Sequence, residues 1–201
     1  MATRRFGHVN DARRFIVERL SDPALLGRNG LNLRQAIYIL PYDPRQEESA
    51  RDLIKAIIQT DLPANNVHAV DVNLYDIVLD YLDREGVWGP LTAAEPDCTR
   101  SEIIMMLQDA VSAKDVIAPA VNERMASESD ADLFFITGVG ETFPYVRTHT
   151  VLQNLDTGRP VVLVFPGRFE QSDDGSTSLD ILDIDQGTTG GFYRATNVFD
   201  L

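Results

Sequence analysis

Residues 132–155 read DLFFITGVGETFPYVRTHTVLQNL, and the fold turns on how this stretch is parsed. Leu133, Phe134, Phe135 and Ile136 form an apolar run too short to cross a bilayer and of the right length for a strand covered on both faces. Gly138 and Gly140, one residue apart, call for a tight backbone turn. Thr142 is placed to cap a helix, with Pro144 in its first turn, where a missing N–H costs nothing. Val151, Leu152 and Leu155 then take core-facing positions, and Gly158 and Pro160 stop the helix. Residues 160–167, PVVLVFPG, read as a second buried strand. Together these segments make a βαβ unit.

Working outward, the same alternation repeats. Residues 34–42 form a candidate strand, which Pro41 and Pro44 are expected to push out of regular pairing. Pro44 then opens a helix capped by Asp43, with Leu53, Ile54, Ile57 and Ile58 inward and Pro63 at its end. Residues 67–72 are a strand. Tyr75, Val78, Leu79 and Leu82 mark a helix that Gly86 closes. Residues 86–99, with the single tryptophan Trp88, read as a connector. Thr99 and Glu102 match a capping box, followed by Ile103, Met106, Leu107, Ala110 and Val111 at helical spacing. Pro119 should kink or split that helix. Beyond Gly167, residues 170–178 read as an acidic loop, and 179–184 with 192–198 as a hairpin at a sheet edge. The expectation is a three-layer α/β domain: a mostly parallel sheet, helices on both faces and a C-terminal antiparallel edge hairpin. Right-handed crossovers place the ends of the strands along one rim, where ligands of open α/β sheets approach.

The 201 residues suit a single domain, 1–201, whose first 30 residues form a basic helical arm. The chain carries a net charge of −13. Within residues 1–34, however, seven arginines meet three carboxylates, so this part is +4 and the rest is −17. A surface so acidic argues against broad nucleic-acid binding. One cysteine, Cys98, allows no internal disulfide, and no run reaches membrane-spanning length; both fit a cytoplasmic protein. Residues 10–21 are an amphipathic helix with Phe15, Ile16 and Leu20 inward and Arg13, Arg14 and Glu18 outward. Arg4-Arg5-Phe6 and Arg13-Arg14-Phe15 repeat a triplet that could bind phosphates and bases, or dock on an acidic protein surface. The acidic body favours the protein surface.

No catalytic set assembles from the residue pattern. The turn 138–144 lacks the Gly-Lys-Ser/Thr of a phosphate loop, has Phe143 where a dinucleotide fingerprint needs its third glycine, and carries Glu141 where an anion would sit. Phosphate or nucleotide binding there is the alternative reading to a structural turn. Arg147 and His149, two apart, point to different helix faces; His149 is expected buried and hydrogen-bonded and Arg147 to hold a carboxylate or loop carbonyl, while a catalytic His149 would need an orienting carboxylate, for which Asp71 and Asp43 are among the distant candidates. His8, His68 and His149 are scattered, and Asp173, Asp174, Asp183 and Asp185 lack the frame of a calcium loop, so neither a metal nor a cofactor is expected. No nucleophile elbow is present, and Cys98 has no nearby histidine.

Four blocks resemble the BrxB family of the bacteriophage-exclusion (BREX) defence systems. They are Leu40-Pro41-Tyr42-Asp43-Pro44; Phe135-Ile136-Thr137-Gly138-Val139-Gly140 with Phe143-Pro144-Tyr145-Val146-Arg147-Thr148-His149; Pro160-Val161-Val162 with Phe165-Pro166-Gly167; and Phe192-Tyr193-Arg194-Ala195. Order and spacing match over residues 36–199, with departures at Phe192 and Thr196 and a long polar loop at 170–178. The resemblance implies a small cytoplasmic, non-enzymatic adaptor in a complex containing a methyltransferase, a large ATPase and an alkaline-phosphatase-like protein, the last being the expected direct partner. It makes Gly138 and Gly140 turn-forming residues, and Arg147, His149, Tyr193 and Arg194 candidates for a polar network or partner contacts. The basic arm, with Arg4, Arg5, Arg13 and Arg14, is a further candidate contact, to protein or to nucleic acid.

Overall fold

The computed structural model describes residues 9–29, 37–156, 158–171, 177–182 and 195–201. Five strands form one parallel array: β1 (Ile37–Tyr42), β2 (Ala69–Asn73), β3 (Leu133–Thr137), β4 (Val161–Gln171) and β6 (Ala195–Asn197), in the order β2-β3-β4-β1-β6. β5 (Thr177–Ile181) pairs antiparallel with the far half of β4. From β1 the chain jumps to the far edge and returns strand by strand, so β4 ends beside β1 with Ile39 opposite Leu163. Right-handed crossovers running in opposite directions put their helices on opposite faces. The two cores follow this rule.

On one face Tyr38, Leu40, Phe135, Val162 and Val164 meet α1 (Val9–Leu20) and α2 (Glu47–Ala56). On the other, Ile39, Phe134, Ile136, Leu163 and Phe165 meet α4 (Leu74–Arg84), α7 (Ala118–Ser127) and α9 (Thr148–Gln153). Alternate residues of each strand thus serve different cores, and β1, β3 and β4 read as unbroken apolar runs because both faces are covered. The three-layer expectation holds. Among the described residues no helix is long and apolar enough to cross a membrane.

Several local expectations are corrected. Pro41 remains in β1, opposite Phe165; on the other side β6 reaches only Ile39, so Pro41 lies beyond that ladder, where a missing N–H is tolerated. The helix after Pro44 runs through a 3-10 turn capped by Asp43, α2, a π turn (Ile57–Asp61) and α3 (Leu62–Ala64), with Pro63 inside the last turn. The connector at 86–99 contains α5 (Trp88–Ala94), because Pro90 and Pro96 each sit in the first turn of a helical segment. Thr99 and Glu102 form the full capping box of α6 (Arg100–Ala110), but the helix breaks at Val111 and Ser112, upstream of Pro119, which lies in the first turn of α7. The antiparallel element near the C-terminus is β4–β5; β6, expected as its partner, joins β1 in parallel. Gly167 permits the β4–β5 pairing: its φ is 152°, and a Cβ there would meet the Asp180 carbonyl oxygen at 2.0 Å.

Arg159 is a tie the sequence did not reveal. Its guanidinium donates to the carbonyls of Met125 (2.9 Å) and Ala131 (3.0 Å), and also to that of Glu128, while lying 4.6 Å over the Phe134 ring. It closes the C-terminus of α7 and the loop leading to β3, a task suited to the planar fork of arginine. Arg159→Ala should therefore lower unfolding stability by about 2–3 kcal/mol, by orphaning partly buried carbonyls. Arg159→Lys should recover only part of it; chemical denaturation measures both.

Candidate functional site

At the C-terminal rim of the sheet, β1 sends the chain to one face and β3 to the other. Crevices open at such reversals. Here a cleft of about 280 Å3 lies between α2, the π turn and the ends of β1–β4. Its size is just under the range of pockets for drug-sized ligands, about 300–1,000 Å3.

The cleft is acidic. Glu47 accepts a short hydrogen bond from Tyr42 Oη, and burial, then this bond, push the Tyr42 hydroxyl well above the ordinary tyrosine range. Arg51 reaches Glu141 at 2.6 Å and Glu47 at 3.6 Å. Asp71 accepts from Thr137 Oγ1 at 2.7 Å. Solvent still reaches its side chain, but the cleft walls desolvate the carboxyl enough to raise its pKa, Asp76 adding to the rise and Thr137 partly offsetting it. Of the cations lining the cleft, Arg51 is paired with two carboxylates, which leaves Lys55 against Asp71. This charge pattern disfavours a phosphate. Among the described residues no group of three or more His, Cys, Asp or Glu is arranged to hold a metal ion.

The turn itself differs from the expectation. Gly138 is left-handed (φ 74°) and leads directly into a four-residue helix, α8 (Val139–Thr142), that contains Gly140. Thr142 caps no following helix; it is buried and its hydroxyl donates back to the carbonyls of Gly138 (3.2 Å) and Val139 (3.1 Å). Pro144 follows a cis peptide between α8 and α9, and α9 starts only at Thr148. The short helix wins because Gly138 presses against the start of α4. Asn73 caps α4 by accepting from Tyr75 N (2.8 Å) and Asp76 N (3.2 Å). A Cβ on Gly138 would fall 2.2 Å from Asn73 Oδ1 and 2.8 Å from Tyr75 N. At Gly140 the nearest atom would be Pro166 Cγ at 3.4 Å, an ordinary contact.

The other anticipated residues scatter. Arg147 is exposed, and among the described residues no carboxylate or carbonyl accepts from it. His149 is half-buried; burial, then the positive charge of Arg147, lower its pKa. The buried polar residue of this helix is its neighbour Thr148. Neither Asp71 nor Asp43 orients His149: the former bonds Thr137 and the latter caps the 3-10 turn. His68 stands at the opposite end of β2, 3.2 Å from Asp130. Tyr193 and Arg194 lie outside the described residues, as do Arg4, Arg5, Asp173, Asp174, Asp183 and Asp185.

The basic helix is largely committed to its own domain. Ile16 and Leu20 are fully buried. Arg13 forms a two-pronged pair with Asp61 (2.7 and 2.9 Å). Phe15 stacks on Phe199, with Arg19 over its ring, and so is not free to stack on bases. Arg28 bonds Asp132 at 2.8 Å. Arg14 is exposed.

A feature missed in the sequence is the exposure of α6. None of its residues is buried. Ile103, Ile104, Met105 and Met106 belong to neither core, and Met105 is 54% exposed. Among the described residues only its C-terminal half is anchored: Leu107 and Ala110 touch the core, and Gln108 Nε2 donates to the Pro144 carbonyl at 3.0 Å. That carbonyl precedes Tyr145, whose hydroxyl donates to the Glu141 carbonyl (2.8 Å) and is pushed up to about 12, chiefly by burial. The motif segment 143–145 is thereby the seat of α6. Its signal in the sequence was the unbroken run Ile103–Met106 within an acidic segment, a poor fit to one buried face.

The steric contrast at the two glycines gives a direct test. Gly138→Ala should cost about 2–3 kcal/mol, combining the left-handed backbone with the displaced Asn73 cap. Gly140→Ala should change stability by less than about 1 kcal/mol. Equal losses in urea unfolding would contradict the assignment.

The BREX protein BrxB family profile matches residues 70–198, well over half of the chain. BREX protein BrxB of Bacillus cereus (strain H3081.97) is 25% identical over 198 residues, covering 96% of this chain and 98% of the relative. BREX protein BrxB of Escherichia coli O9:H4 (strain HS) is 24% identical over 160 residues, 77% of this chain and 76% of the relative. No solved structure matches. The matched region contains Gly138 with its Asn73 contact, the 143–149 segment and α6, and the chain belongs to the BrxB family of BREX phage-defence proteins.

Proposed function

We propose that this protein is a non-enzymatic adaptor of a BREX-type defence complex, working in the cytoplasm by holding other defence proteins together. The alkaline-phosphatase-like component is the first candidate partner, ahead of the ATPase and the methyltransferase. One observation carries the reading. α6 is a capped helix of eleven residues, yet it buries none of them. Isolated helices shorter than about 12–15 residues are marginal in water, so most helices of this length gain their stability from packing. This one keeps two methionines in solvent, on a side chain type common at adaptable binding surfaces. Partner binding would supply the missing packing.

The rim cleft does not carry an enzymatic reading of comparable weight. Its polar groups are engaged with one another, Tyr42 with Glu47, Arg51 with Glu141, Asp71 with Thr137.

The test is affinity purification of the tagged protein expressed with its neighbouring genes, read by mass spectrometry. A defence protein should co-purify at near-stoichiometric yield. A tagged protein that elutes alone contradicts the adaptor reading.

A further inference from the structure

We propose that the outer face of α6 is the docking site for a basic protein segment that presents an apolar anchor between two positive charges. The inference rests on the adaptor reading and specifies the partner's chemistry. Met105 and Met106 sit at the middle of the helix, exposed by 54% and 37%. Residues three and four apart share a helix face. Glu102 precedes the methionines by three and four residues, and Asp109 follows them by four and three. The face therefore reads acid, apolar, acid over eight residues, which is about 10 Å of helix. Both carboxylates are exposed.

The preceding sequence carries the same sign. From Tyr75 to Asp109 the chain carries eight carboxylates and two arginines, a net charge of −6. One of those arginines, Arg84, already pairs with Glu85 at 3.2 Å. Trp88 on α5 and Tyr75 on α4 are further exposed aromatics within the same acidic segment. A field of this sign repels nucleic-acid phosphates and anionic membranes, and it opposes the stacking of two copies through the same face. It attracts lysine and arginine, speeds the encounter and rejects acidic partners. The methionines then supply the apolar burial that the charges do not.

The experiment uses the full chain against each co-expressed defence protein, purified singly, with dissociation constants measured at 50 and 500 mM NaCl. Two variants are compared with the parent. Met105→Ser removes the anchor, and Asp109→Lys reverses one flanking charge; both positions are exposed, and circular dichroism confirms that the fold is kept. Glu102 is left alone because its side chain accepts from Thr99 N at 2.7 Å and caps the helix. Each variant should weaken binding tenfold or more, and binding by the parent should weaken with salt as the charges are screened. Parental affinity in both variants, while a partner is still captured, overturns the docking site and leaves the adaptor reading standing. Loss with Met105→Ser alone, without salt dependence, overturns the basic chemistry of the partner. If the parent captures no defence protein at all, the adaptor reading falls and the docking site falls with it.

Discussion

The pairing of β1 with β4 is the constraint on which the rest of this structure depends. Ile37 to Tyr42 lie in parallel register with Val161 to Pro166. To make that pairing the chain must leave β1 for the far edge and come back through β2 and β3. With right-handed crossovers, the outward and return journeys cover opposite faces. Two cores, two helical layers and the rim cleft all result from that one reversal. The contact of Gly138 with Asn73 then locks the rim, because the end of β3 can reach the start of α4 only if no side chain intervenes.

Much of this was legible in the residues. Buried parallel strands announce themselves as short apolar runs, and LFFI and VVLVF did so without ambiguity. Asp43 before Pro44, and Thr99 before Glu102, gave helix starts that the structure reproduces. What failed was local choice under tertiary control. Thr142 and Pro144 satisfy the rules for opening a helix, but the closeness of Gly138 to α4 places a four-residue helix at Val139–Thr142, and the next helix starts only at Thr148. Pro41 looked like a strand breaker; the short reach of β6 makes it harmless. The partner of β5 was misread because strand patterns fix which residues pair with a sheet, not which neighbour they choose. Arg159 could not have been found, since its partners are backbone carbonyls that any sequence supplies.

The candidate site was only partly visible. Gly138 takes a left-handed backbone pressed against the start of α4, which separates it from Gly140, whose added methyl would meet no close backbone. Among the described residues, neither the Arg147 nor the His149 side chain is joined to a hydrogen-bond partner. The apolar residues of α6 stand at helical spacing in the sequence, but spacing reports periodicity and not whether a neighbouring element exists to receive them. Its exposed methionines, its acidic flanks and its seat on the Pro144 carbonyl place the family motif beside an exposed surface.

Backbone hydrogen exchange of α6, in the isolated protein and in the co-purified complex, tests this account most directly. With Ile103–Met106 outside both cores, the amides in the N-terminal half of α6 should exchange far faster than those of β3 in the free protein and become protected when a partner is bound. Protection equal to that of β3 in the free protein, or no change on complex formation, would contradict the claim that this helix is completed by a partner.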